Sequence, residues 1–233
     1  MNSTIINSTE WNNPFFYFFF YYATSDSKPI CKSFFTNYLS KSIALILLFV
    51  FSPLLILISL IIKISMKGDV LFKQTRVGKN DKYFDILKFR TMIPNAEELT
   101  GHVLSWDGDS RITTFGKFLR KSHLDELPQL INIIMGEMSF IGPRPERPEF
   151  TKVYDQEIIN YSKSHEVLPG VTGLSQILCE YNVNAEQKTK YDLLYISYSN
   201  NFIINTLILI YTIKKIMFLS PTANIIKIVK ETN

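Results

Sequence analysis

Between Ser42 and Ile62 the chain carries no charged residue, and Leu, Ile, Phe and Val dominate. About 20 such residues form a helix long enough to cross the hydrocarbon core of a bilayer, so whatever domain adjoins this run is built at a membrane. Pro53 interrupts it. A proline inside a helix removes a backbone donor and crowds the preceding turn, which predicts a bend at Ser52-Pro53. The arm before it, Ser42–Phe51, is about 15 Å long, near half of the roughly 30 Å core. Lysines stand on both flanks, Lys32 and Lys41 before and Lys63, Lys67 and Lys73 after. A spanning helix normally carries its positive excess on one side only. The two-sided pattern therefore predicts a re-entrant helix over residues 41–67 that dips in and returns, with Ser52 helping to satisfy a freed carbonyl. A straight transmembrane helix is the competing expectation.

The 233 residues fit one domain with appendages. Residues 1–40 read as an aromatic-rich extension centred on Phe15–Tyr22, too short to span a bilayer and suited to the headgroup layer, with a disordered tail carrying a sticky patch as the alternative. It lacks the basic start and small-residue cleavage site of a signal peptide. From Gly68 the composition becomes that of a soluble domain, extending to about residue 200. Residues 201–233 form a C-terminal helix and tail. The run Phe202–Leu219 is apolar but holds Lys214-Lys215, which predicts an amphipathic helix in the interface with its lysines outward. A core helix is the alternative.

A net charge of +4 suits an anionic lipid surface or phosphorylated substrates. No basic stripe interleaved with aromatics argues for nucleic acid. Cys31 and Cys179 are far apart and show no ligand spacing, so two free thiols are expected. His102, His123 and His165 form no helical metal pair.

The fold class expected is mixed α/β, mostly helical. Asp69–Gln74 and Lys82–Phe89 read as strands around a turn at Gly78–Asp81. Ala96–Thr100, Phe115–Lys121, Glu149–Ser164 and Lys188–Ser199 read as helices. Leu127–Met135 reads as an apolar helix opened by Pro128. Three prolines make Gly142–Pro148 a stiff extended loop, and Pro169–Leu174 is turn-rich.

Chemistry concentrates at Asp125-Glu126, behind Arg120-Lys121 and ahead of the apolar helix. Neighbouring carboxylates on a helix diverge by about 100°, so they cannot oppose one another across a glycosidic bond. They can divide roles, one attacking phosphorus and one holding a hard divalent ion. A plainer reading makes Ser122 and Asp125 a capping pair and leaves Glu126 solvated. Lys88, Arg90, Arg120, Arg144 and Arg147 supply the positive charge a diphosphate needs, and Arg144 is stiffened by Pro143 and Pro145. Asp107-x-Asp109 has the spacing of a metal–nucleotide site, although a solvated turn is the simpler expectation. No dinucleotide fingerprint, P-loop or nucleophile elbow is present.

Four ordered blocks carry a resemblance: Lys88-Phe89-Arg90-Thr91-Met92, Asp125-Glu126-Leu127-Pro128-Gln129-Leu130, Gly136–Pro145 and Pro169–Leu174. With Ser52-Pro53 upstream, the chain from Lys41 to Leu219 resembles the bacterial sugar transferases, the monotopic polyprenyl-phosphate phosphoglycosyl transferases. The resemblance implies transfer of a sugar 1-phosphate from a UDP-sugar to polyprenyl phosphate with release of UMP. It implies Asp125 as nucleophile, Glu126 as a ligand of Mg²⁺, Arg144 as a phosphate contact and Ser52-Pro53 as the membrane bend. Lys88, Arg90, Arg120, Arg147, Gln129 and Asp192 are further candidates. It places the domain on the cytoplasmic face of the cell membrane, with membrane lipids as partners and a homodimer compatible. His123 stands where the family favours a smaller residue. Two other functions stay open on the residues alone: a metal-dependent glycosyltransferase using Asp107 and Asp109, and a membrane-anchored interaction protein.

Overall fold

The computed structural model describes residues 33–66, 68–94, 96, 106, 108–179 and 183–218. Phe15–Tyr22, most of Ala96–Thr100, Asp107 and the tail beyond residue 218 lie outside them. The architecture is mixed and mostly helical. In chain order it runs α1 (Ser33–Ser65), β1 (Leu71–Val77), β2 (Tyr83–Phe89), α2 (Thr114–Lys121), a 3-10 turn (Leu124–Glu126) and α3 (Gln129–Met135). There follow β3 (Ser139–Ile141), α4 (Pro148–Glu157), a 3-10 turn (Tyr161–Glu166), β4 (Gly170–Thr172), α5 (Leu174–Leu178), α6 (Ala185–Tyr198) and α7 (Phe202–Phe218). β1 and β2 form an antiparallel hairpin, with Leu71 opposite Phe89 and Val77 opposite Tyr83. β3 and β4 form a separate parallel pair.

Helix α1 is the one described helix long and apolar enough to cross a membrane by length and composition. It starts earlier than expected, at Ser33, and is helical through Pro53. The proline has no N–H to give to the carbonyl of Phe49, four residues back. Ser52 Oγ donates to that oxygen at 2.7 Å, so the expected repair is present. Ser59 and Ser65 turn their hydroxyls onto Leu55 O and Ile61 O in the same way, which keeps polar groups off an apolar surface.

Both halves of α1 pack on the domain that follows. Ala44, before the proline, joins Phe84, Ile86, Leu130, Ile133 and Met138. Ile58, Ile62 and Met66, after it, join Phe89 and Leu119. Burying each isoleucine stabilises the fold by about 2 kcal/mol. The opposite face exposes Leu45, Ile46, Phe49, Ile56, Leu57 and Ile64, with Phe49 81% exposed.

Four expectations are corrected here. The Glu149–Ser164 helix ends at Glu157, and the chain turns through Asn160 at φ 63° before a separate 3-10 segment. Pro169–Leu174 holds a strand as well as a turn. β4 lies so close to the chain after β3 that a Cβ on Gly170 would overlap the Gly142 backbone nitrogen, so glycine is required there by contact. The first strand runs to Val77 and not Gln74. Finally, α7 does not carry both lysines outward. Lys215 Nζ turns in and donates to Gln176 O at 2.8 Å, capping the end of α5, while Lys214 lies over the Tyr211 ring. One face of α7 places Ile204 and Ile208 in a core with Leu174, Ile177, Tyr191 and Tyr195. The other exposes Phe202, Leu209, Ile210, Ile213 and Ile216.

Asn132 joins the hairpin to α3. Its Oδ1 accepts from Leu87 N–H at 3.0 Å, and its Nδ2 donates to Asp85 O at 2.8 Å and Glu137 Oε2 at 2.7 Å. The side-chain amide thus takes the place of a third strand along β2. Asn132 is fully buried, so Asn132→Leu strands one donor and one acceptor of β2. Each such group costs about 1–3 kcal/mol. Denaturant unfolding should show a loss of about 2–4 kcal/mol; a loss under about 0.5 kcal/mol would remove Asn132 as the joint.

Candidate active site

Helix α2 starts at an N-cap, Thr113, whose hydroxyl accepts from Gly116 N–H. It ends at Ser122, and His123 reverses the chain in the left-handed region at φ 56°. Histidine tolerates that region better than most side chains. The reversal delivers Asp125 and Glu126 on a single 3-10 turn, and Pro128 then opens α3. Ser122 does not cap Asp125. Its hydroxyl donates to Phe118 O and Leu119 O within its own helix. Asp125 is buried, 8% exposed.

Three separate segments supply cations to this turn. Lys88, from β2, places Nζ 2.6 Å from Glu126 Oε1. Arg144, from the proline-rich loop, places Nη2 3.5 Å from the same oxygen, with its side chain 47% exposed. Arg120, in the last turn of α2, donates from Nε to Thr91 Oγ1 at 2.8 Å, and its charge acts on Asp125.

The two adjacent carboxyls titrate in opposite directions. Burial pushes Asp125 above the usual carboxylate range, and the charge of Glu126 adds to the shift. Lys88 and Arg120 pull it back. Burial also pushes Glu126 upward, but the charges of Arg144 and Lys88 and the Lys88 hydrogen bond outweigh it. The Glu126 pKa falls to about 2. Burial lowers Lys88 against the charge of Glu126. Glu126 is therefore a fixed anion, and Asp125 a desolvated carboxyl beside it. Among the described residues no cluster of three acids, histidines or cysteines forms a closed metal cage. An ionised Glu126 next to Asp125 fits a hard ion such as Mg²⁺, which takes one or two carboxylates and completes its shell with phosphate oxygens and water.

The loop bearing Arg144 is pinned on both sides. Gly170 N–H donates to Pro143 O at 2.9 Å, and Val77 N–H donates to Glu146 O at 2.9 Å. Arg76 Nη1 donates to Pro145 O at 2.9 Å. Arg76 and Asn132 are residues that the motifs alone do not single out. Their one sequence signal is placement: Gln74-x-Arg76 puts two polar side chains on one strand face, and Asn132 interrupts an apolar helix.

The other candidates take separate places in the fold. Gln129 opens α3 and is buried. The Arg90 guanidinium lies over Gly68. Arg147 stands at the N-cap position of α4 without a side-chain capping bond, and its charge acts on Arg76. Asp192 Oδ1 accepts from Ser175 Oγ at 2.7 Å, and burial pushes its pKa up to about 7. Asp109 is not a solvated turn residue: it is fully buried and receives Arg111 Nη2 at 2.7 Å and Arg111 Nε at 2.9 Å. Those bonds hold its carboxyl below the usual range and occupy both oxygens, which disfavours it as a metal ligand. A 260 Å³ cavity adjoins Ile133 and Gly136 at the far end of α3 from the acids.

The buried Asp125 and the cation-held Glu126 thus stand on a domain packed along an apolar helix. Residues 31–219 match the family described as bacterial sugar transferase, and the chain belongs to that family. It is 40% identical over 177 residues to the UDP-N-acetylgalactosamine-undecaprenyl-phosphate N-acetylgalactosaminephosphotransferase of Aeromonas hydrophila, covering 75% of this chain and 41% of the relative. It is 38% identical over 158 residues to the UDP-glucose:undecaprenyl-phosphate glucose-1-phosphate transferase of Klebsiella pneumoniae, covering 65% and 33%. It is 36% identical over 197 residues to the exopolysaccharide production protein ExoY of Rhizobium meliloti (strain 1021), covering 78% and 84%. The chain thus spans less than half the length of the first two relatives and most of the third.

The opposite shifts give stability a defined pH dependence. Glu126, lowered from an ordinary 4.5 to about 2, adds stability that is complete above about pH 4.5 and lost as pH falls toward 2, worth about 3 kcal/mol. Asp192, raised to about 7, acts the other way. Its contribution is present below its unfolded value near 3.8 and lost as pH rises through about 7. Unfolding curves at several pH values should show Glu126→Gln with a smaller loss between pH 4.5 and 2, and Asp192→Asn with a smaller decline between pH 4 and 7. Curves parallel to wild type would contradict both assignments.

Proposed function

We propose that the protein is a phosphoglycosyl transferase that moves a sugar 1-phosphate from a UDP-sugar to polyprenyl phosphate and releases UMP. The observation that carries this is the buried Asp125 carboxyl beside a Glu126 anion fixed by Lys88 at 2.6 Å and Arg144 at 3.5 Å. The names of the relatives, which include undecaprenyl-phosphate sugar phosphotransferases, support it.

In the first step an Asp125 carboxylate oxygen attacks the sugar-bearing phosphorus of the diphosphate. The bond from that phosphorus to the bridging oxygen breaks, and UMP leaves with the electron pair. In the second, a phosphate oxygen of the lipid attacks the same phosphorus and restores free Asp125. Only the ionised carboxyl attacks, and Lys88 and Arg120 favour that form. Arg144, half exposed, is placed to meet the incoming diphosphate, and stabilisation of phosphoryl charge by such fixed cations is the main catalytic resource in this chemistry. Glu126 would hold Mg²⁺, and the ion would supply charge neutralisation for the diphosphate.

Membrane attachment follows from α1. Both its halves lie on the domain. A helix crossing the bilayer away from the domain would leave one half in lipid alone. The packing supports the re-entrant reading, with Ser52-Pro53 at the turning point and the exposed face in lipid. The exposed apolar face of α7 adds a second contact at the interface. A soluble UDP-sugar as donor supports a position on the cytoplasmic face. The glycosyltransferase alternative loses support because Asp109 is engaged by Arg111.

Membranes carrying the protein, given a panel of UDP-sugars with polyprenyl phosphate and Mg²⁺, should release UMP and not UDP. Asp125→Asn should reduce turnover by about 10³-fold or more, and quenched reactions of wild type should yield a sugar-phosphate ester on Asp125 by mass spectrometry. Release of UDP, or full turnover by Asp125→Asn, refutes the proposal. Tags before Lys41 and at Asn233 should be labelled from the same side of sealed vesicles; opposite sides would refute the re-entrant helix.

A further inference from the structure

We infer that Arg76 is a positioning residue of the phosphate site, setting where the Arg144 guanidinium meets the donor diphosphate; this rests on the phosphoglycosyl transferase reading. Pro143 and Pro145 stiffen the loop bearing Arg144 but do not by themselves place it. Its location is set by what grips its backbone. Before Arg144, Gly170 N–H holds Pro143 O. After it, Arg76 Nη1 holds Pro145 O at 2.9 Å, Val77 N–H holds Glu146 O at 2.9 Å, and the Glu146 carboxylate lies 3.6 Å from Arg76 Nη1. Two of these three grips use the Arg76 side chain.

The guanidinium is itself braced. Its Nη2 donates to Gln74 Oε1 at 2.6 Å, and the side chain is only 15% exposed. The planar fork reaches Gln74 and Pro145 at once, which a lysine ammonium on a flexible stem cannot reproduce with fixed geometry. Nε is buried with no hydrogen-bond partner. A buried unpaired donor is a cost that calls for an explanation, and holding the other two nitrogens on the loop and its brace supplies one. The charges of Arg144, Arg147 and Glu126 act on Arg76, so the clasp lies within electrostatic reach of the reacting centre. Burial lowers its pKa to about 10 against the attraction of Glu146, and it stays cationic at neutral pH. A loop held in its binding position before the donor arrives costs less ordering on binding.

The test is a double-mutant cycle read in UMP release with a UDP-sugar that wild type turns over. Arg76→Gln should raise the donor KM or lower kcat/KM by about 10-fold, with the KM for polyprenyl phosphate unchanged. Arg76→Lys should not rescue it. In an Arg144→Gln background the same Arg76→Gln change should cost less than about two-fold, because the side chain it positions is gone. Equal losses in the two backgrounds would overturn the inference. Gln74→Leu keeps the arginine and removes only its brace, and should give a smaller loss in the same parameter. Hydrogen exchange supplies an activity-independent readout. Peptides spanning residues 139–150 should exchange faster in Arg76→Gln and in Gln74→Leu, and unchanged exchange would overturn the inference. A wild type that releases no UMP with any donor would fail the functional reading alone and leave exchange to decide the role of Arg76.

Discussion

The structure is organised around one carboxylate, Glu126. Lys88 reaches it from the hairpin and Arg144 from the proline-rich loop, while the acid sits on a 3-10 turn between α2 and α3. A buried charge is tolerable only when paired and hydrogen-bonded. The ion pairs therefore require three segments, far apart in sequence, to converge to within a few ångströms. The other fixed features serve that convergence. Asn132 locks β2 to α3, the Gly142–Gly170 contact closes β3 on β4, and Val77 and Arg76 hold the arginine loop against β1.

On the proposed reading, the same construction ties the chemistry to the lipid surface. Ala44 packs on α3 and β2, while Ile62 packs beside Phe89 and Leu119. The apolar helix is thus a wall of the domain. Residues Lys88 and Phe89 are adjacent on β2, one facing Glu126 and one buried with Ile62. The distance from the reacting centre to the membrane-facing helix is therefore set by a single strand. A flexible tether would leave that depth variable, and a lipid phosphate confined to the headgroup plane would rarely meet the acid.

Much of this was legible in the sequence where the signal is local. Period and punctuation placed the hairpin, α2, α3 and the stiff loop, because Gly78–Asp81, Pro128 and three closely spaced prolines act through their own backbone. The pairing of Ser52 with a carbonyl freed by Pro53 follows from helix geometry and was foreseeable. Features that depend on tertiary partners were not. Asp109 looks like a surface turn until Arg111 is folded onto it. Lys215 looks like a solvent-facing residue until the end of α5 is placed beside it. β4 is three residues long with two glycines nearby, so no periodicity marks it. Arg76 shares its spacing with any strand arginine, and only the returning loop gives it a role.

On the proposed reading, the division of labour between the two acids follows from this geometry. Adjacent carboxyls with the same burial would repel, and one would be expected to take up a proton. Here the cations are distributed unevenly. Lys88 and Arg144 both contact Glu126, so the repulsion is resolved by fixing that acid as an anion and leaving Asp125 with the burial. A carboxyl with few committed hydrogen bonds in a desolvated place is suited to form a new bond to phosphorus. One already clamped by two cations is suited to remain where it is and hold charge. Groups driven apart in this way take different roles in catalysis.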